Sequence, residues 1–315
     1  MTRNGSGALH VVLYHHVGDA SSELIDRLGV TTSPGVFERH LEYFVRRFDI
    51  VDLEQVISGD LPRRALLITF DDGYRSVLDV AQPLLARQGS PFVFFVSGAF
   101  VRPRSLAADN LLCYLSHHVE PAELERAVTG ADPVGLELGG LIGAVADLPY
   151  ERQTRLVDEL AERFEVDVKR LRTESGLFLD KEDLPRLPQL GIEVGNHTRS
   201  HLHCRAIRDD AAANEQLVDY RRQLEEWTGA AVRAFSYPYG YRQDATALVR
   251  RHLEASGHVT SFLAEARPNP GIPADALWQR VCVDGRPART LRLALGALPR
   301  LRTVRDRVRS AVGDR

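Results

Sequence analysis

Cysteine is scarce in this chain. Cys113, Cys204 and Cys282 are widely spaced and no Cys-x-x-Cys pair occurs. That usage argues against a disulfide framework and against a cysteine-rich zinc site, and it suits a reducing compartment. Long hydrophobic runs are also missing, and no stretch approaches the length of a membrane span. The apolar run Leu9 to Tyr14 contains His10 and is too short for the hydrophobic region of a signal peptide. A cytoplasmic protein is the expectation. The chain lacks a dominant charge as well: its net charge of −3 gives the whole molecule no pull on nucleic acid. No internal repeat or low-complexity run is visible. What remains is ordinary for a globular protein: 315 residues, 44% hydrophobic and 26% charged. That length suits one large α/β domain or two small ones.

The pattern along the chain is strand then helix, repeated. Leu9 to Tyr14 reads as a first core strand, and residues 18–31 as a polar loop. Ser33-Pro34 resembles a helix cap and first helical residue, followed by the stripe Phe37, Leu41, Phe44 and Val45. Residues 50–53 read as a short edge strand, 65–70 as a buried strand, and Ser76 as the cap of a helix reaching about Gln88. Residues 91–96 form another apolar run. The rhythm then breaks. Residues 101–175 carry weak amphipathic stripes, read as a helical insertion that forms a lid or wall. Strands resume at 191–196, 232–235, 258–263 and 278–283, with helices at 208–228 and 243–255. Such alternation implies parallel α/β architecture, and about seven such strands favour a closed, deformed (β/α) barrel. The chemistry of a barrel sits where its strands end. Residues 1–285 are assigned to this barrel.

Two motifs stand at such ends. Thr69-Phe70-Asp71-Asp72-Gly73-Tyr74 closes the 65–70 strand. Adjacent residues leaving a strand point oppositely, so one Asp is free to bind a metal while the other faces substrate or water. A bare Asp-Asp-Gly is also an ordinary solvated turn. The second motif, His197-Thr198-Arg199-Ser200-His201, follows the 191–196 strand. Two imidazoles four residues apart, on a helix or a tight turn, can face one point, and a carboxylate completes a three-ligand set with open positions. Asp72, His197 and His201 are therefore the candidate metal ligands. Asp71 is the candidate general base for a water activated there. Zinc suits that set, and cobalt, nickel or iron fit similar ligands.

These two motifs, with Phe235-Ser236-Tyr237-Pro238-Tyr239-Gly240 as a third, resemble the polysaccharide deacetylase family, also called carbohydrate esterase family four. The resemblance spans roughly residues 9–285 and implies a deformed (β/α) barrel that removes acetyl groups from N-acetylated sugars with a divalent metal. It makes Asp71 the base and Asp72, His197 and His201 the metal ligands. The backbone N–H of Tyr239 becomes part of the oxyanion site. Two departures stand out. The family's third motif carries an arginine where Ser236 or Tyr237 stands here; Arg280, on the late strand, is the candidate replacement, and a structural arginine is the alternative. The family's Leu-x-His motif is absent near the C-terminus, but Leu13-Tyr14-His15 ends the first strand. That arrangement resembles the circularly permuted branch acting on poly-N-acetylglucosamine, with His15 as general acid and His16 as fallback. Tyr74 and Trp278 are candidate sugar-stacking walls, and His203 and Cys204 candidate supports of the second motif.

The segment 286–315 holds nine Arg against two Asp, with Leu291, Leu295, Leu298, Leu301, Val304 and Val308 at helical spacing. It reads as a basic amphipathic C-terminal helix, packed on the barrel or touching an anionic surface such as a membrane. Three functions compete. The first is a metal-dependent N-deacetylase acting on an oligosaccharide, a polysaccharide, or a lipid- or nucleotide-linked sugar. The second is a hydrolase of small amides or cyclic amides. The third is a glycan-binding barrel without activity.

Overall fold

A computed structural model of the protein describes residues 8–19, 22–101 and 106–297. Most of the expected C-terminal helix therefore lies outside the described residues. Its start, at Leu291 and Leu295, is buried in the main hydrophobic cluster.

The strands in chain order are β1 (His10–Tyr14), β2 (His16–Val17), β3 (Thr31–Thr32), β4 (Asp49–Ile50), β5 (Ala65–Phe70), β6 (Phe92–Val96), β7 (Glu193–Asn196), β8 (Ala234–Ser236), β9 (Thr260–Leu263), β10 (Leu277–Gln279) and β11 (Val281–Cys282). Among the described residues, nine of them form one sheet in the order β10-β9-β8-β7-β6-β5-β1-β11, with β4 beside β5. Every pairing in it is parallel. The two ends of that order are consecutive in the chain. Gln279 still pairs with β9, at Leu263, while Val281 already pairs with β1, at Val12. One short segment thus nearly closes the barrel, and Arg280 is the residue at the switch.

All six residues of β5 are buried, as expected of a parallel strand covered on both faces. The period of two then sorts side chains. Leu66, Ile68 and Phe70 join Val12 and Tyr14 under the helix Pro34–Arg47 through Phe37, Leu41 and Phe44. Ala65 and Leu67 join Leu9, Val11, Phe95 and Trp278 in the barrel interior. Continuing that interior phase beyond the strand ends gives Asp71 on β5 and His15 on β1. It also gives Arg280 after Trp278. The sequence places chemistry at the mouth of the barrel by alternation alone.

The insertion is helical, comprising Ala108–His118, Pro121–Thr129, Leu138–Ala146, Tyr150–Arg163 and Val168–Ser175. It has its own small core of Leu111, Leu115, Leu124, Leu141, Leu156 and Leu160. It is pinned to the barrel and to the loop before β3. The buried Arg172 guanidinium donates to the carbonyls of Phe100 and, at 2.7 Å, of Leu179. His117 and His118 pair with Asp26 and Glu23 at 2.9 and 2.7 Å.

Several local expectations change. Residues 53–58 form a helix, capped by Asp52 and Gln55, so the edge strand ends at Ile50. Ser76 does not cap its helix; its hydroxyl accepts the Val17 N–H at 3.1 Å. Trp278 is 1% exposed inside the barrel core and cannot form a sugar-stacking wall.

Candidate active site

Asp71 and Asp72 enter the site together, against the expectation that alternation sends them apart. Asp72 has φ 81°, and Gly73, at φ 156°, follows it. The left-handed turn swings Asp72 back toward the mouth that Asp71 already faces. Gly73 is required there, since a Cβ would come within 2.7 Å of the Phe100 Cβ. The second motif is a tight turn rather than a helix. Thr198 and His201 have φ 61° and 51°, and the Thr198 hydroxyl accepts the His201 N–H at 3.0 Å. Asn196 braces the same turn, accepting the Thr198 N–H at 2.9 Å.

The two turns bring three ligand atoms together. Asp72 Oδ1 lies 3.5 Å from His197 Nε2 and 3.1 Å from His201 Nε2. Ligands about 2.1 Å from a tetrahedral ion stand about 3.4 Å apart, so these separations fit one cation between them. Asp72 Oδ1 is also buried without a well-formed hydrogen bond, a costly state for a carboxylate oxygen unless something else satisfies it. His197 is oriented from behind: its Nδ1 lies 2.8 Å from the Ser236 carbonyl, so it donates there and presents Nε2 forward. Burial raises the Asp72 carboxyl, but His201 and His197 outweigh it and hold it below the usual range. The donor set therefore fits a divalent metal.

Asp71 sits beside this cluster, with Oδ2 3.7 Å from His197 Nε2. Its partner is the fully buried Arg280, whose two terminal nitrogens donate to the two carboxylate oxygens, each at 2.6 Å. Arg280 also donates to the Leu263 carbonyl and to the Ser236 hydroxyl, which itself donates to Asp71 at 3.0 Å. The arginine that meets Asp71 thus comes from the barrel's closing segment and not from the third motif. Burial pushes the Asp71 carboxyl up, but Arg280 and His197 overcome it and keep it below the usual range. Asp71 is an ionised carboxylate with one fixed orientation.

His15 lines the same cavity from the end of β1, the strand next to β5. Its Nδ1 is 2.5 Å from Asp284 Oδ2, and Asp284 Oδ1 accepts the Thr32 hydroxyl at 3.1 Å. Burial pulls the imidazole down, but Asp284 more than offsets it, and His15 is raised to about 9. His16 is not among the residues lining the cavity. It packs edge-on against Tyr74, 5.7 Å between ring centres, and burial lowers it to about 4. Asp284 is a residue that sequence reasoning missed; its only signal was an acid just past the last strand.

Tyr239 takes φ 61° inside the third motif. The following Gly240, φ 70°, must be glycine, because a Cβ would meet the Ala264 backbone nitrogen at 2.3 Å. The Tyr239 ring stacks on His203 at 4.0 Å, which Asp244 anchors at 3.1 Å. Its hydroxyl donates to Asp109, on insertion helix Ala108–His118, at 2.7 Å. Cys204 is buried in a separate apolar cluster. Tyr74 lines the cavity but is 1% exposed, stacked on Phe178. The cavity has a volume of about 510 Å³. Asp71, Asp72, His197, His201, His15, Tyr239 and Arg280 all border it, together with Asp109, Leu138 and Ile142 from the insertion.

A family model described as polysaccharide deacetylase matches residues 148–257, the stretch that holds the second and third motifs. No curated protein matches the chain. Among solved structures, a Streptococcus pyogenes deacetylase, PplD, in complex with acetate aligns with TM-score 0.60 and 12% identity, over 91% of this chain and 98% of that one. IcaB from Ammonifex degensii aligns with TM-score 0.54 and 21% identity, over 90% and 95%. A de-N-acetylase from Aggregatibacter actinomycetemcomitans aligns with TM-score 0.54 and 17% identity, over 89% and 96%. These likenesses speak for the deformed (β/α) barrel, and the family match falls on the residues that build the His197 and Tyr239 turns. On that match and that barrel, the chain resembles the polysaccharide deacetylase family over residues 148–257 and shares the barrel fold of these solved deacetylases.

Proposed function

We propose that the protein is a metal-dependent hydrolase that removes the acetyl group from an N-acetylated sugar. The observation that carries this reading is the buried, ionised Asp71, clamped by Arg280 within 3.7 Å of an Asp-His-His ligand set. A fixed base beside an open ligand set is what amide hydrolysis by water requires.

Asp72, His197 and His201 would hold a divalent cation, which when bound would polarise the acetyl carbonyl and acidify an attacking water. Zinc suits one carboxylate and two imidazoles, and cobalt, nickel or iron would bind there too. Asp71 takes a proton from the attacking water as its oxygen bonds to the acetyl carbon. Arg280 keeps that carboxylate ionised and aimed. The Tyr239 N–H, held by the left-handed turn, donates to the oxygen that gains charge. His15 gives its proton to the sugar nitrogen as the C–N bond breaks, releasing acetate and a free amine. Asp284 orients His15 and keeps it protonated at neutral pH, as a general acid needs to be.

The test is acetate release from N-acetylglucosamine oligomers of defined length, with elemental analysis of protein purified without chelator or nickel resin. A bound divalent ion, with acetate release that disappears in Asp71→Asn, supports the proposal. Undiminished hydrolysis by Asp71→Asn would overturn it. Turnover of small cyclic amides in place of acetylated sugars would transfer the same site to another substrate.

A further inference from the structure

The active-site cavity does not end at the barrel. A second cavity, of about 520 Å³, opens at the surface of the insertion and is lined mainly by apolar side chains, including Ala122, Leu124, Leu136 and Leu141. Arg27 and Leu138 line both cavities, so the two adjoin across these residues. The catalytic cavity itself includes the apolar Leu28, Val30 and Ile142 in its lining.

The apolar chamber is built. Its outer wall includes Gly135 and Leu136. The Glu125 carboxylate, only 2% exposed, accepts the backbone N–H groups of Val134, Gly135 and Leu136 at 2.7, 2.9 and 3.0 Å. Three charge-assisted bonds fix this wall where it would otherwise collapse onto Leu124 and Leu141. At the junction, Arg27 is held by one terminal nitrogen, which donates to the carbonyl and hydroxyl of Ser116 at 3.0 and 3.1 Å. A guanidinium has five donors in a planar fork, so the remaining edge can take a phosphate bidentately.

We infer that the substrate is an N-acetylated sugar joined through a phosphate to an apolar chain, with the sugar at the barrel mouth, the phosphate at Arg27 and the chain in the insertion's cavity. This deepens the deacetylase reading and rests on it. It also gives the insertion a purpose in substrate choice. A finished polysaccharide has no apolar segment to fill the chamber. An amphipathic substrate has one.

The probes are N-acetylglucosaminyl farnesyl phosphate, the same sugar phosphate without the chain, and the farnesyl glycoside without the phosphate. Each methylene buried contributes about fourfold to binding, so the chain should raise kcat/KM at least tenfold in the wild type. Ala122→Phe, at an exposed position of helix Pro121–Thr129, fills the cavity from its rim and should bring the ratio of kcat/KM with and without chain toward one. Arg27→Gln should bring the phospho-linked and directly linked farnesyl substrates within about twofold of each other. A chain effect below twofold in the wild type, or one that survives Ala122→Phe, overturns the inference while leaving the deacetylase reading intact. Tight binding of the farnesyl phosphate probe without acetate release does the reverse: it keeps the amphipathic site and removes the proposed reaction.

Discussion

Replacing Asp284 with Asn isolates what that carboxylate does for His15. The substitution keeps the size and one acceptor oxygen but removes the charge. Wild-type His15 is raised to about 9, against an ordinary value of 6.5, with Asp284 the largest influence pulling it up and burial pulling it down. Without Asp284 the imidazole should titrate at or below about 6.5. A general acid must be protonated, so activity falls as pH rises through this pKa. At pH 8 about nine-tenths of wild-type His15 carries its proton, and about 3% of it would in Asp284→Asn. The expected loss of kcat/KM is therefore about 30-fold at pH 8 and less than twofold at pH 6. The same pair contributes stability that is fully present below about pH 6.5 and lost as pH rises through about 9. The assay is a pH profile of acetate release for both proteins from pH 5.5 to 10. An unmoved alkaline limb would refute the assignment of His15 as the acid.

Other outcomes follow from the same geometry. Arg280→Met strands the Asp71 carboxylate in the barrel, and breaking such a buried pair costs about 3–5 kcal/mol, readable by urea unfolding. Because Arg280 depresses Asp71, its loss also raises that pKa, so the acidic limb of the rate profile should move to higher pH; a limb that stays in place counts against Asp71 as base. His201→Ala should cut bound divalent metal, measured by elemental analysis, from about one equivalent to under a tenth, since a carboxylate and one imidazole hold such ions poorly. Asp109→Ala removes the acceptor that fixes the Tyr239 ring and should lower kcat about tenfold, whereas Asp109→Asn, whose amide oxygen still accepts, should retain most of it. Equal losses in the two variants would show that the Tyr239 contact does not matter to the reaction.

Much of the fold could be read directly. The buried strand 65–70 has its expected bounds, and the helical insertion appears where the strand–helix rhythm breaks. Misreadings arose where a long-range partner outbid a local one. Ser76 has the sequence of a helix cap, yet its hydroxyl serves the backbone of Val17. Trp278 stands near a strand end like a binding-site aromatic, yet it points inward because its neighbour Arg280 shares the same phase. Asp71 and Asp72 were expected to diverge, and only the left-handed turn at Asp72 makes them converge.

The sequence by itself determined the chemistry on offer: which residues can bind a metal, which can act as base or acid, and that each stands at a strand end. Periodicity and short motifs record such facts because they depend on neighbours a few residues away. Tertiary structure alone decided the pairings across the barrel. Arg280 meets Asp71 from 209 residues away and Asp284 meets His15 from 269, and no local pattern can encode a contact that exists only once the parallel sheet has curled round to bring its first and last strands side by side.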